Sequence, residues 1–77
     1  MARSLLDLAP GAESTVTRIG GGGAIRQRLL DMGITRGTSV RCHRLAPLGD
    51  PIEISVKGSL LAIRKNEAKF VLIEAQP

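Results

Sequence analysis

PLGDPIEISVKG, from Pro47 to Gly58, decides how this chain folds. Ile52, Ile54 and Val56 alternate with Glu53, Ser55 and Lys57, the period-two pattern of a strand with one face buried. Lys57-Gly58 then marks a two-residue turn, and Ser59 to Arg64 (SLLAIR) follows as the second arm of a hairpin. Ahead of the strand, Pro47, Gly49 and Pro51 bracket a turn. Asp50 and Glu53 invite a different interpretation, as metal ligands or an acid/base pair. The alternation sends Glu53 to the solvent side, and an Asp before Pro is a common turn former. A catalytic pair needs held geometry and shifted pKa values, which generally require burial. The stretch therefore predicts architecture, and no catalytic residue is assigned to it.

Outward from the hairpin, the same patterns recur. Leu5, Leu6 and Leu8 form an apolar leading segment (residues 1–9) closed by Pro10-Gly11. Glu13 to Ile19 (ESTVTRI) is β-branched and predicts the first strand. After the glycine run Gly20–Gly23, Ile25, Leu29 and Met32 fall at helical spacing, with Leu30 widening the stripe, so Ala24–Met32 predicts one short amphipathic helix. Gly33 stands where a C-cap glycine belongs, and Gly37 where the next turn does. Thr38 to Ala46 alternates at Val40 and Cys42, but the phase breaks before Leu45, as a bulge or bend would require. Lys65 to Lys69 tolerates at most one helical turn. Phe70 to Glu74 (FVLIE) predicts a closing strand, with Phe70 in the core. About five short strands with one helix inserted after the first make a mainly β fold, a small antiparallel barrel.

The 77 residues predict one small domain spanning residues 1–77. Apolar residues are 43% of the chain and almost all aliphatic, enough for a core but not for a deep enzyme pocket as well. One cysteine excludes an internal disulfide and a multi-cysteine zinc site. No run approaches the ~20 apolar residues of a membrane span, and no signal-peptide core is present, so a cytoplasmic location is expected. The net charge of +4 is dispersed from Arg3 to Lys69, the pattern of a solubility device, although it would also suit an acidic partner.

Three further motifs yield no chemistry. GGGGAIR precedes a helix, but a phosphate loop needs Lys and Ser or Thr where Ala24 and Ile25 stand, so the glycines are a hinge. Cys42 and His43 point to opposite faces of a strand and cannot clasp one ion, leaving a core Cys and a surface His. Base-stacking platforms are missing, so nucleic acid could be held only through phosphates, by Arg36, Arg41 and Arg44, and no stable complex is expected.

GGGAIRQRLLDMGITRGTSV (Gly21 to Val40) and RLAPLGDPIEISVKGSLLAIRKNEA (Arg44 to Ala68) resemble the FeoA family, in the joint occurrence of LDMGI and APLGDPIEI at this spacing. The resemblance runs from about Leu8 to Glu74. It implies an SH3-like barrel of about five strands with a helix after the first, and a small cytoplasmic protein that accompanies the FeoB transporter in ferrous iron uptake. It further implies binding to FeoB's cytoplasmic G domain, no enzyme activity and no cofactor, with the membrane reached only through the partner. Self-association is compatible with it. Gly33, Gly37, Pro47, Gly49, Pro51 and Gly58 are then turn formers. Candidate partner contacts are Arg26, Leu30, Arg41, Arg44, Leu48 and Asp50, and no residue is assigned to a metal. A basic nucleic-acid-binding module and a direct transition-metal-binding module are the alternatives.

Overall fold

A computed structural model describes residues 3–74. Residues 1, 2 and 75–77 of the expected domain lie outside the described residues. The hairpin that organises the sequence is formed by β4 (Ile52–Val56) and β5 (Ser59–Ile63), in the register Ile52↔Ile63 through Val56↔Ser59. Its turn uses Lys57 at φ 52° and Gly58 at φ 83°. Both central residues are left-handed, the conformation of a type I′ turn, which matches the right-handed twist of the strands. Only Gly58 adopts it without a Cβ penalty; Lys57 carries a strain of about 1 kcal/mol. We therefore expect Lys57→Asn, which tolerates this region, to raise stability by ~0.5–1 kcal/mol. A higher urea midpoint at unchanged slope would show it.

The remaining elements are β1 (Arg3–Ser4), a 3-10 turn (Leu5–Asp7), β2 (Glu13–Ile19), α1 (Gly23–Asp31), β3 (Ser39–Leu45), the short α2 (Lys65–Ala68) and β6 (Val71–Ile73). All strand pairs are antiparallel, in the order β1-β6-β2-β3-β4-β5. Five strands lie where the sequence places them. The sixth, β1, is two residues long and pairs with the end of β6, and the Leu5–Asp7 turn follows it directly. The turn is held by Ser4 Oγ, which accepts from the Leu6 N–H at 3.1 Å, and by Asp7 Oδ2, which accepts from the Ser4 N–H at 2.9 Å. This is a capping arrangement that brings Leu5 into the core.

Two bulges bend the sheet. In β2, Val16 opposes Ile73 while Arg18 opposes Leu72, so Thr17 is the extra residue. In β3, Cys42 opposes Ile54 while Arg44 opposes Glu53, so His43 is the extra residue, at the phase break seen in the sequence. β2 also changes partner along its length, pairing β3 at Glu13–Thr15 and β6 at Val16–Ile19. The extents of 29 × 27 × 24 Å are those of a rolled sheet rather than a flat one. Leu5, Val16, Leu29, Ile34, Val40, Ile54, Ile63 and Val71 fill its interior, each at most 1% exposed.

α1 closes over this core through Leu29, with Ile25, Leu30 and Met32 half-buried around it. Its C-terminus is a Schellman motif. The Ile34 N–H donates to the Leu29 carbonyl at 3.1 Å, the Gly33 N–H donates to the Leu30 carbonyl at 2.9 Å, and Gly33 is left-handed at φ 88°. Leu29 and Ile34, the flanking apolar pair, are both fully buried. The chain therefore leaves the helix in a fixed direction.

Candidate functional site: an arginine-lined cleft and a tethered loop

The Thr17 bulge has a consequence for the surface. In an unbroken strand Thr17 and Arg18 would face opposite ways. With one residue inserted, both are exposed, and Val16 and Ile19 on either side are both buried. Beside this exposed pair, α1 presents Arg26 and Leu30, four residues apart and hence on one face. The turn after the Schellman motif adds Arg36. Together with Ile19 and Gly21 these residues line an open cleft of about 590 Å³. Arg26 and Leu30, two of the six candidate contacts read from the sequence, thus meet at one place.

Arg41, Arg44, Leu48 and Asp50 do not line it. Arg41 is exposed on β3, opposite Glu13 and Ser55 in register. Arg44 Nε donates to Glu53 Oε2 at 3.0 Å, which makes Glu53 half-buried rather than fully solvated. Leu48 is 94% exposed at the tip of the Pro47–Pro51 loop. The loop itself is closed by Gly49 N–H donating to the Ala46 carbonyl at 2.7 Å and Ala46 N–H donating to the Pro51 carbonyl at 3.1 Å. Gly49 and Gly37 are left-handed, like Gly33, and the Asp50–Pro51 peptide is cis. Asp50 Oδ1 accepts from the Lys65 N–H at 3.2 Å, so the loop caps the start of α2, and Arg64 approaches the same oxygen at 4.0 Å.

Glu67, which the sequence does not single out, ties α2 to α1. Its carboxylate is 9% exposed; Oε2 accepts from Arg28 Nε at 2.9 Å and Oε1 from the Arg64 N–H at 3.2 Å. Phe70 is half-buried rather than fully in the core. Its ring lies against Gly21, where an added Cβ would sit 3.0 Å from Cδ1, and Lys69 Nζ stands 5.2 Å from the ring centroid.

Cys42 is fully buried and His43 is exposed. Among the described residues no group of three or more His, Cys, Asp and Glu side chains is placed to hold a metal ion. Burial pushes the Cys42 thiol up from its ordinary 9.0. A thiol with a raised folded pKa favours the folded state fully below its unfolded value and loses that contribution as pH rises through the folded value. Stability should therefore decline as pH rises above about 9 through this group, and a thiol reagent should label native protein only at the rate of unfolding.

A family model for the FeoA domain matches residues 3–75. The chain belongs to the FeoA family. The FeoA protein of Chlorobium tepidum, solved by NMR, is 41% identical with a TM-score of 0.84, covering 92% of this chain and 68% of that one. FeoA of Stenotrophomonas maltophilia, solved as a zinc complex and described as a prokaryotic SH3 domain protein, is 28% identical with a TM-score of 0.83, covering 95% and 91%. The antiparallel sheet with its inserted helix is accordingly an SH3-like fold. A Porphyromonas gingivalis protein, an Fe(2+) transport protein A/Fe(2+) transporter FeoB fusion, is 29% identical over 70 residues. That match covers 91% of this chain but 8% of the fusion protein, so the FeoA chain spans a small part of that relative.

Proposed function

We propose that this FeoA-family chain is a non-enzymatic, cytoplasmic interaction module of ferrous iron uptake that binds the cytoplasmic region of a FeoB-type transporter and modulates it. The observation that carries this is the Porphyromonas gingivalis relative, in which an FeoA module and FeoB are one polypeptide. Fusing two modules raises their effective concentration for one another to roughly the millimolar range, which is useful when they work on each other. The rigid construction around α1 and the Pro47–Pro51 loop supports the same reading, because pre-ordered surfaces lose little entropy on docking. No helix among the described residues is long and apolar enough to cross a membrane, so the proposed route to the membrane is the partner.

Capture of the transporter's cytoplasmic region on immobilised chain, at low salt and with its GTPase rate followed in parallel, tests this. Retention together with a changed rate is the expected result. No retention and no change in rate would remove the proposal. Leu48→Glu is a cleaner surface probe than Asp50→Ala, because Leu48 is almost fully exposed whereas Asp50 also caps α2.

A further inference from the structure

We propose that the cleft between the bulged end of β2 and α1 is a docking site for an acidic peptide segment with an apolar residue among its carboxylates. The inference rests on the reading of the chain as an interaction module and names the chemistry of what it binds. Three guanidinium groups, Arg18, Arg26 and Arg36, come to this cleft from three separate segments, and no carboxylate lines it. The ion pairs found among the described residues engage Arg28, Arg44 and Arg64 instead. The cleft arginines are thus left without an anionic partner within the described fold, and their forked donors suit carboxylates.

The rest of the lining separates a peptide from other anions. A volume of about 590 Å³ is much larger than one phosphate needs, and Ile19 and Leu30 add aliphatic surface. Among the described residues, no aromatic side chain on which a nucleobase could stack lines the cleft. Phe70 is the chain's one residue among Phe, Tyr and Trp, and Gly21 and Lys69 already occupy its ring. An extended segment can instead place carboxylates toward the three arginines while an apolar side chain rests on Leu30. The β2 bulge makes this geometry, because without it Arg18 and Thr17 could not both face outward.

The test is a titration of isotope-labelled chain with a fluorescent glutamate-rich peptide interrupted by leucines, followed by amide shifts and by anisotropy. Shifts should map to Thr17, Ile19, Gly21, Arg26, Leu30 and Arg36, and affinity should fall ~10-fold or more between about 50 and 300 mM salt. Arg26→Glu/Arg36→Glu should abolish binding. Arg41→Glu/Lys57→Glu, with the same change in net charge outside the cleft, should leave most of it. The amide spectrum of each variant reports folding directly. Shifts centred on Arg41, equal loss in both variants, or saturation by ATP or inorganic phosphate but not by the peptide would each overturn the proposal. Transporter binding that survives Arg26→Glu/Arg36→Glu would also end it while leaving the FeoB reading intact. Peptide binding at the cleft by a chain that ignores the transporter would do the reverse.

Discussion

Ile54→Ala is expected to remove most of the stability of this domain. Ile54 is fully buried at the centre of β4, opposite Cys42 on β3 and Leu61 on β5. Truncating a buried Ile in a site that cannot collapse costs about 2–5 kcal/mol, the lost transfer energy plus the cavity left behind. Here the site is hemmed in by neighbouring strands on both sides, so a value near 4 kcal/mol is expected. A domain of this size has roughly 4–12 kcal/mol in total, and small aliphatic cores sit at the lower end. The urea midpoint should therefore fall by more than half, and the variant should be partly unfolded at growth temperature. Ile54→Val, which removes one methyl, should cost about 1 kcal/mol and keep the fold. An Ile54→Ala protein within 1 kcal/mol of the parent would mean that the hairpin is not the centre of the core.

Glu67→Lys should also be strongly destabilising. It puts an ammonium where a carboxylate, 9% exposed, accepts from Arg28 and from the Arg64 N–H. The start of α2 loses an acceptor, and two cations face one another across the α1–α2 contact. A buried unpaired charge costs about 3–5 kcal/mol, but Arg28 is 64% exposed and water screens the repulsion, so about 2–3 kcal/mol is expected. Glu67→Gln keeps an acceptor for the Arg64 N–H and should lose less than about 1 kcal/mol. Thermal unfolding of the two variants side by side measures the difference. Equal effects would place the cost in packing rather than in charge.

The contrast between these two sites shows what could be read from the letters. The hairpin was legible because alternation at Ile52, Ile54 and Val56 and the Lys57-Gly58 turn are local features that agree with each other. The same holds for β2, for α1 with its Gly33 cap, and for the bulge at His43. The Thr17 bulge left a signal too, since Val16 and Ile19 are three apart and cannot share the buried face of a regular strand. Other features have no local signal. β1 exists only because Arg3 and Ser4 meet the end of β6. Glu67 looks like one more polar residue in RKNEAKF until α1 brings Arg28 to it. Arg18, Arg26 and Arg36 are scattered in sequence and become a site only when the bulge, the helix and the following turn are assembled. Arg26 and Leu30 are accessible from the sequence because they share a helix face; Arg41, Arg44, Leu48 and Asp50 carry no such spacing and lie outside the cleft. Asp50, which first suggests chemistry, serves as a cap for α2.

The proposed function has this FeoA-family chain bind the cytoplasmic region of a FeoB-type transporter. Isothermal titration of that purified region into the chain at low ionic strength measures this binding. Saturable heat at a defined stoichiometry, weakened by added salt, is the result predicted. The absence of saturable heat, with both proteins shown to be folded in the same buffer, would contradict it.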